Sequence, residues 1–101
     1  IMKSKLENRS GIDYLTFHPE GMKHPLTLPV ITSGSRDNSN SWTWNRNLEQ
    51  PTLRPSVRTV YHDGEKEVMI HFWLNGGICK CLSDCTDGNA GKLLPLQDLQ
   101  P

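Results

Sequence analysis

The chain has 101 residues with eleven basic and eleven acidic side chains, so its formal net charge at pH 7 is zero when histidine is neutral. Because no overall field attracts it to nucleic acid or to a membrane surface, such binding would need a local basic cluster. A chain of this length predicts one domain, residues 1–101, that buries roughly 60 to 70 per cent of its surface on folding. Residues 1–11 are mostly polar and charged, and we expect them to form a flexible N-terminal segment.

Two apolar runs in the first third of the chain predict strands. Residues 12–17 combine β-branched and aromatic residues in an alternating pattern. Residues 26–31 form the second run, in which Pro29 predicts an edge strand or an early end, since proline cannot donate to a sheet ladder. Residues 33–41 are rich in Gly, Ser, Asn and Asp, which is typical of a loop.

The middle of the chain predicts a short strand with two tryptophans on one face, followed by an extended connection. Residues 41–45 indicate a short strand in which Trp42 and Trp44 point to the same face, because residues two apart in a strand do so. Residues 48–55 contain two prolines, which favours an extended connection without ladder hydrogen bonds at those positions.

The C-terminal half predicts an antiparallel meander. Residues 57–61 and 67–73 flank an Asp-Gly turn, which is typical of a hairpin. An Asn-Gly-Gly turn leads to a third strand at residues 78–83, and residues 92–96 add a short strand stopped by Pro95. Apolar residues nowhere recur at helical spacing for three turns. The predicted fold is therefore mainly β: a small single-domain antiparallel meander or sandwich with long polar loops and little or no helix.

The three cysteines are Cys79, Cys81 and Cys85, which lie within seven residues. An odd number of closely spaced cysteines argues against a disulfide framework, so the thiols are free or bind a metal. The N-terminal residues show no signal peptide and the last residues no lipidation motif, so we expect a cytosolic location.

Aromatic and basic side chains in the middle of the chain predict a binding site. Trp42 and Trp44 can stack on a planar ligand, and Arg46, Arg54 and Arg58 can contact phosphate in a bidentate manner. The alternatives are that the tryptophans pack in the core and that the arginines solvate a strand face.

A second pattern is compatible with catalysis. His71 is followed by Asp84, Cys85 and Thr86, and a cysteine, a histidine and an acidic orienting group can generate an activated thiolate. The alternatives are that Cys85 is a core thiol and that His71 is structural or belongs to the predicted ligand-binding set.

Several dense motifs indicate a lineage. Residues 42–45, 51–56, 82–86 and 90–91 resemble a family of small bacteriophage proteins of unknown function, members of which often carry the label "ammonia monooxygenase". The resemblance covers residues 17–98. The label does not suit this chain, because the enzyme so named is a large membrane-bound metalloenzyme and these 101 residues contain no long apolar run.

The resemblance also bears on metal binding. In many relatives, the segment that corresponds to residues 18–21 looks like a Cys-Pro-x-Cys pair followed by a histidine, which is half of a zinc ribbon. This chain has only His18 there, followed by His24. With Cys79 and Cys81 these residues could provide four tetrahedral ligands, although Cys-x-Cys is not the usual zinc knuckle. We predict no metal or cofactor and keep this set as an alternative.

These observations favour a binding protein over an enzyme. Relatives tend to have a histidine where this chain has Asp87, so a base that a relative could use is absent here. Small phage accessory proteins commonly inhibit host defence, so we expect a counter-defence protein of the host cytosol that sequesters a nucleotide-type signalling molecule without turnover, as a homo-oligomer. The alternatives are an inhibitor that binds a host defence enzyme directly and a thiol- or metal-dependent hydrolase. We predict no catalytic residues, no membrane contact and no strong nucleic-acid interaction.

Overall fold

The computed structural model describes residues 2–32 and 40–99, which form two β-sheets. Strand order is β1-β2-β3-β4-β5 in the first sheet and β6-β7-β8-β9 in the second. The strands are β1 (Ser4–Arg9), β2 (Ile12–Phe17), β3 (Leu26–Ile31), β4 (Trp42–Trp44), β5 (Leu53–Arg54), β6 (Val57–Asp63), β7 (Lys66–Asn75), β8 (Ile78–Cys81) and β9 (Leu93–Pro95). The predicted mainly β fold is confirmed, and the described ranges contain no helix, so none that could cross a membrane.

The predicted meander is present in the second sheet, with its first turn moved by one residue. Asp63 pairs with Lys66, so Gly64 and Glu65 form the turn instead of an Asp-Gly pair. Gly64 has a φ of 68°, a conformation that glycine adopts without a steric penalty. Strands β8 and β9 then follow in antiparallel order.

The first sheet departs from the prediction for Pro29. Strand β3 lies between β2 and β4 and is not an edge strand. Pro29 is opposite Tyr14 of β2, whereas the parallel pairing with β4 begins only at Val30, opposite Trp42. The proline is therefore accommodated just before the β4 ladder begins.

Strand β1 lies in the segment that was expected to be flexible and was not predicted from the sequence. It pairs with β2 along its whole length, from Ser4 opposite Phe17 to Arg9 opposite Ile12. Ser4 is fully buried, and its hydroxyl donates to the carbonyl oxygen of Leu48 at 2.6 Å. The other β1 residues are exposed, which gives this edge strand a polar composition. Most of the loop predicted at residues 33–41 lies outside the described residues.

The core lies between the two sheets. Phe17 of β2 and Phe72 of β7 are fully buried and meet edge to face, with their ring centroids 6.2 Å apart. Along β7 alternate residues are buried: Val68, Ile70, Phe72 and Leu74. Because successive side chains of a strand point to opposite faces, His71 lies on the outer face of the second sheet. This face carries the candidate site.

Candidate active site

Three polar side chains meet on the outer face of the second sheet. The Oγ atom of Ser56 lies 3.2 Å from Nε2 of His71. The two carboxylate oxygens of Asp84 lie 3.1 and 3.0 Å from Nδ1 of the same ring. A hydroxyl, an imidazole and a carboxylate in this order form the nucleophile, base and orienting group of a serine hydrolase.

The register of the β6–β7 hairpin positions the first two of these residues. Val57 is opposite Phe72 and Arg58 is opposite His71. Ser56 directly precedes β6, so it lies two residues from Arg58 and on the same face as His71. The indole Nε1 of Trp42 donates to the carbonyl oxygen of Ser56 at 3.3 Å, which ties the serine backbone to β4 of the first sheet. The peptide bond that joins Arg54 to Pro55, just before Ser56, is cis.

The segment 82–86 places the carboxylate. The N–H of Leu82 donates to the carbonyl oxygen of His71 at 2.8 Å. At the other end, the N–H of Thr86 donates to the carbonyl of Met69 at 2.9 Å, and the N–H of Met69 donates to the Thr86 hydroxyl at 2.8 Å. Asp84 lies between these two attachments, so its side chain is held beside the imidazole. The carboxylate side chain is 52% exposed and the imidazole 22%, so water reaches the acid more readily than the base.

The contacts define the protonation states that the site needs. A carboxylate that accepts from Nδ1–H leaves Nε2 unprotonated, so Nε2 can accept the proton of the Ser56 hydroxyl. The hydrogen bond from His71 lowers the pKa of Asp84, and the charge of Arg58 lowers it further by a smaller amount. Asp84 is therefore ionised at neutral pH and can stabilise an imidazolium when His71 accepts a proton.

Cys85, the nucleophile of the alternative thiol-dependent hydrolase, contacts the backbone of His71. Its Sγ atom lies 3.3 Å from the backbone nitrogen of His71 and 3.1 Å from its carbonyl oxygen. The thiol is buried. The thiol hypothesis thus named the histidine and the acid that meet in the structure, whereas the side chain that contacts Nε2 of this histidine is Ser56.

The predicted tryptophan pair is part of the packing between the sheets. Trp42 and Trp44 lie on the same side of β4, as the alternation predicts, and both pack half-buried against the core. The indole N–H of Trp42 is used in the hydrogen bond to Ser56. The buried indole N–H of Trp44 has no hydrogen-bond partner among the described residues.

The three arginines of the predicted binding site have different surroundings. The guanidinium of Arg54 lies over the ring of Trp73, 5.3 Å from its centroid, and donates to the carbonyl of Leu53 at 2.7 Å. Arg58 is exposed on the face that carries His71. Arg46 is exposed in a loop with a φ of 63°.

The alternative zinc ligands have other partners in the structure. Cys79 and Cys81 are buried in the core, where desolvation raises the pKa of both thiols, that of Cys81 to about 11. They are therefore protonated at neutral pH, and zinc binding would have to displace both protons. Nε2 of His18 lies 2.8 Å from the carbonyl oxygen of Met22, and His24 packs edge-on against a tyrosine ring. Residues 2–32 and 40–99 contain no group of three or more His, Cys, Asp or Glu that could hold a metal ion.

Ser56 is the residue of the candidate site that was not predicted from the sequence. Two signals pointed to it. It ends the dense motif at residues 51–56, and the predicted hairpin brings residue 56 close to residue 71. The sequence prediction named no catalytic residue, and the alternative thiol-dependent hydrolase used Cys85, which follows Asp84.

Comparison with known proteins identifies the family. The family model described as "Bacterial ubiquitination-like system serine protease (BubE)" matches residues 4–82, more than three quarters of the chain. The chain therefore belongs to the BubE family. No curated protein and no solved structure matches it. The matched segment contains Ser56 and His71, and Asp84 lies two residues beyond its end.

The family match overturns the function expected from the sequence. A counter-defence protein that sequesters a nucleotide-type molecule is wrong, because the family is described as a serine protease of a bacterial ubiquitination-like system. The hydrolase that the sequence analysis kept as an alternative agrees better with this description. The resemblance to a bacteriophage lineage stays a prediction.

Proposed function

We propose that this member of the BubE family is a serine hydrolase in which Ser56 is the nucleophile, His71 the general base and Asp84 the orienting carboxylate. The observation that carries the proposal is the continuous set of contacts from Ser56 Oγ through both ring nitrogens of His71 to Asp84. The family description supports the same class of reaction.

The reaction follows from the placement of the proton. Oγ of Ser56 attacks the substrate carbonyl carbon while its proton moves to Nε2 of His71, and the carbonyl π electrons move to the oxygen. Asp84 stabilises the resulting imidazolium through Nδ1–H. Nε2–H then protonates the leaving group as its bond to carbon breaks, which leaves an acyl ester on Ser56. Water then attacks the ester carbon while His71 accepts its proton. The bond to Ser56 Oγ breaks as Nε2–H returns a proton to that oxygen, and the acyl group is released as a carboxylic acid.

The substrate we assign is a polypeptide, cleaved at a peptide bond within a bacterial ubiquitination-like system. This assignment rests on the family description, because the three side chains alone do not distinguish an ester substrate from an amide substrate. The partner is then a protein substrate in place of a nucleotide. The cytosolic location and the homo-oligomer expected from the sequence remain predictions.

Covalent labelling tests the nucleophile. A fluorophosphonate probe should add one phosphonyl group to the wild-type protein, and peptide mapping should find it on Ser56, because the probe reacts with hydroxyls activated by a base. Ser56→Ala should abolish the labelling. Ser83→Ala is the matched control, since Ser83 is an exposed serine in the neighbouring segment, and it should label like the wild type. Equal labelling of Ser56→Ala and the wild type would show that the nucleophile is another residue.

A further inference from the structure

A cleft of about 540 Å³ opens beside the proposed nucleophile. The lining residues are Leu28, Pro29, Asn40, Ser41, Trp42 and Pro55. Two of them connect the cleft to Ser56: Pro55 precedes it in the chain, and the indole of Trp42 donates to its carbonyl oxygen at 3.3 Å. The cleft therefore lies next to the backbone of the residue that would carry the acyl group.

The residues that line the cleft disfavour the binding of a charged substrate side chain. Leu28, Pro29, Trp42 and Pro55 contribute apolar surface, and none of the lining residues that the structure describes is charged. A charged side chain that enters the cleft loses hydration without gaining an ionic partner from these residues. An apolar side chain gains free energy in proportion to the apolar area it removes from water. The volume lies within the range of small-molecule pockets, so a leucine or an aromatic side chain can enter.

We propose that this cleft is the specificity pocket of the enzyme and that it binds an uncharged, apolar side chain on the acyl side of the scissile bond. In the acyl intermediate the acyl carbon is bonded to Ser56 Oγ, and Pro55 and Trp42 bring the cleft to the backbone of the same residue. The proposal places the side chain nearest that carbon in this cleft. The inference rests on the proposed function and adds to it the class of residue that the enzyme accepts next to the cleaved bond.

A series of p-nitrophenyl esters of N-acetyl amino acids tests the proposal with the purified protein. The leucine, alanine and lysine esters share one leaving group, so kcat/KM compares the acyl side chains directly. We expect the leucine ester to be preferred over alanine by about tenfold, because of its additional apolar surface, and over lysine by about a hundredfold or more. Wild-type ratios near one would overturn the proposal.

Two variants locate the preference in this cleft. Leu28→Glu places a negative charge in the lining and should lower the leucine-to-lysine ratio by about tenfold or more. Leu28 also packs against the core, so Ser41→Phe, at a half-buried position of the wall, provides a second variant that narrows the cleft. It should lower the leucine-to-alanine ratio by about tenfold. Leu93→Glu is the matched control, because Leu93 is 66% exposed in β9, at the opposite edge of the second sheet from β6.

The outcomes separate the two proposals. Hydrolysis with unchanged ratios in both cleft variants would place specificity elsewhere and leave the Ser56 mechanism intact. No hydrolysis of any ester, together with no fluorophosphonate labelling, would overturn the mechanism and the specificity pocket together. A ratio that shifts in the cleft variants and not in Leu93→Glu supports the assignment.

Discussion

Replacement of Asp84 by asparagine tests the proposed mechanism at its least buried member. The change keeps the shape of the side chain and removes its charge. Both carboxylate oxygens lie within 3.1 Å of Nδ1 of His71, so the wild-type side chain accepts the Nδ1 proton whichever oxygen faces the ring. An asparagine can instead turn its amide NH₂ toward Nδ1, which favours the tautomer protonated on Nε2. That tautomer cannot accept the proton of Ser56.

The exposure of Asp84 sets the expected size of the effect. In a trypsin-like triad, where the aspartate is buried, this substitution lowers kcat by about 10⁴. The Asp84 side chain is 52% exposed, so water can compete with the asparagine amide for Nδ1 and part of the population keeps the productive tautomer. We therefore expect kcat for the leucine ester to fall by about 10² to 10⁴, with a smaller change in KM.

The assay compares kcat for the wild type, Asp84→Asn and Asp98→Asn. Asp98 is a similarly exposed carboxylate that pairs with Lys3, away from the candidate site, so its variant controls for the loss of one surface charge. Asp98→Asn should match the wild type within about twofold. If Asp84→Asn kept kcat within about threefold of the wild type, Asp84 would not orient the base and the assignment of the acid would be refuted.

Three further predictions concern stability and the role of the thiol. The fold lowers the pKa of Asp84 from 3.8, so its contact with His71 stabilises the fold above about pH 3.8 and loses this effect as pH falls through the lowered pKa; melting temperatures of the wild type and Asp84→Asn should converge in acid. Cys85→Ser should keep ester hydrolysis within about tenfold, whereas a thiol nucleophile would lose nearly all of it. Phe72→Ala should lower the free energy of unfolding in urea by about 3–5 kcal/mol, since the ring is fully buried; a loss under about 1 kcal/mol would contradict the packing.

Local chemistry explains which parts of the fold could be predicted. The β6–β8 meander could be, because glycine turns and alternating apolar residues determine where strands begin, end and reverse. Strand β1 could not, because one face of an edge strand lies in water and its residues carry no apolar alternation. The place of Pro29 depends on where β4 starts to pair with β3, which is a long-range property.

The site was predictable to a lesser extent. His71 and Asp84 can be recognised as candidates from the sequence, because an imidazole can accept a proton and a carboxylate can accept a hydrogen bond without activation by another residue. A serine hydroxyl is a weak nucleophile until a base accepts its proton, and no local pattern reports that base. For Ser56 the base lies fifteen residues away and is brought to 3.2 Å by the hairpin register. The tryptophans were ambiguous for a related reason, since the same indole suits a core and a ligand platform.

The two sheets contribute different parts of the proposed active site. Ser56, His71 and Asp84 are held by the second sheet and the segments next to it, whereas half of the residues that line the proposed specificity pocket come from β3 and β4 of the first sheet. Trp42 connects the two, because it lines the pocket and its N–H fixes the carbonyl of Ser56. Substitutions in β3 that reshape the pocket can therefore change the preferred side chain without moving the triad. Trp42→Phe, in contrast, removes a hydrogen bond to the nucleophile and should affect turnover of every ester in the series.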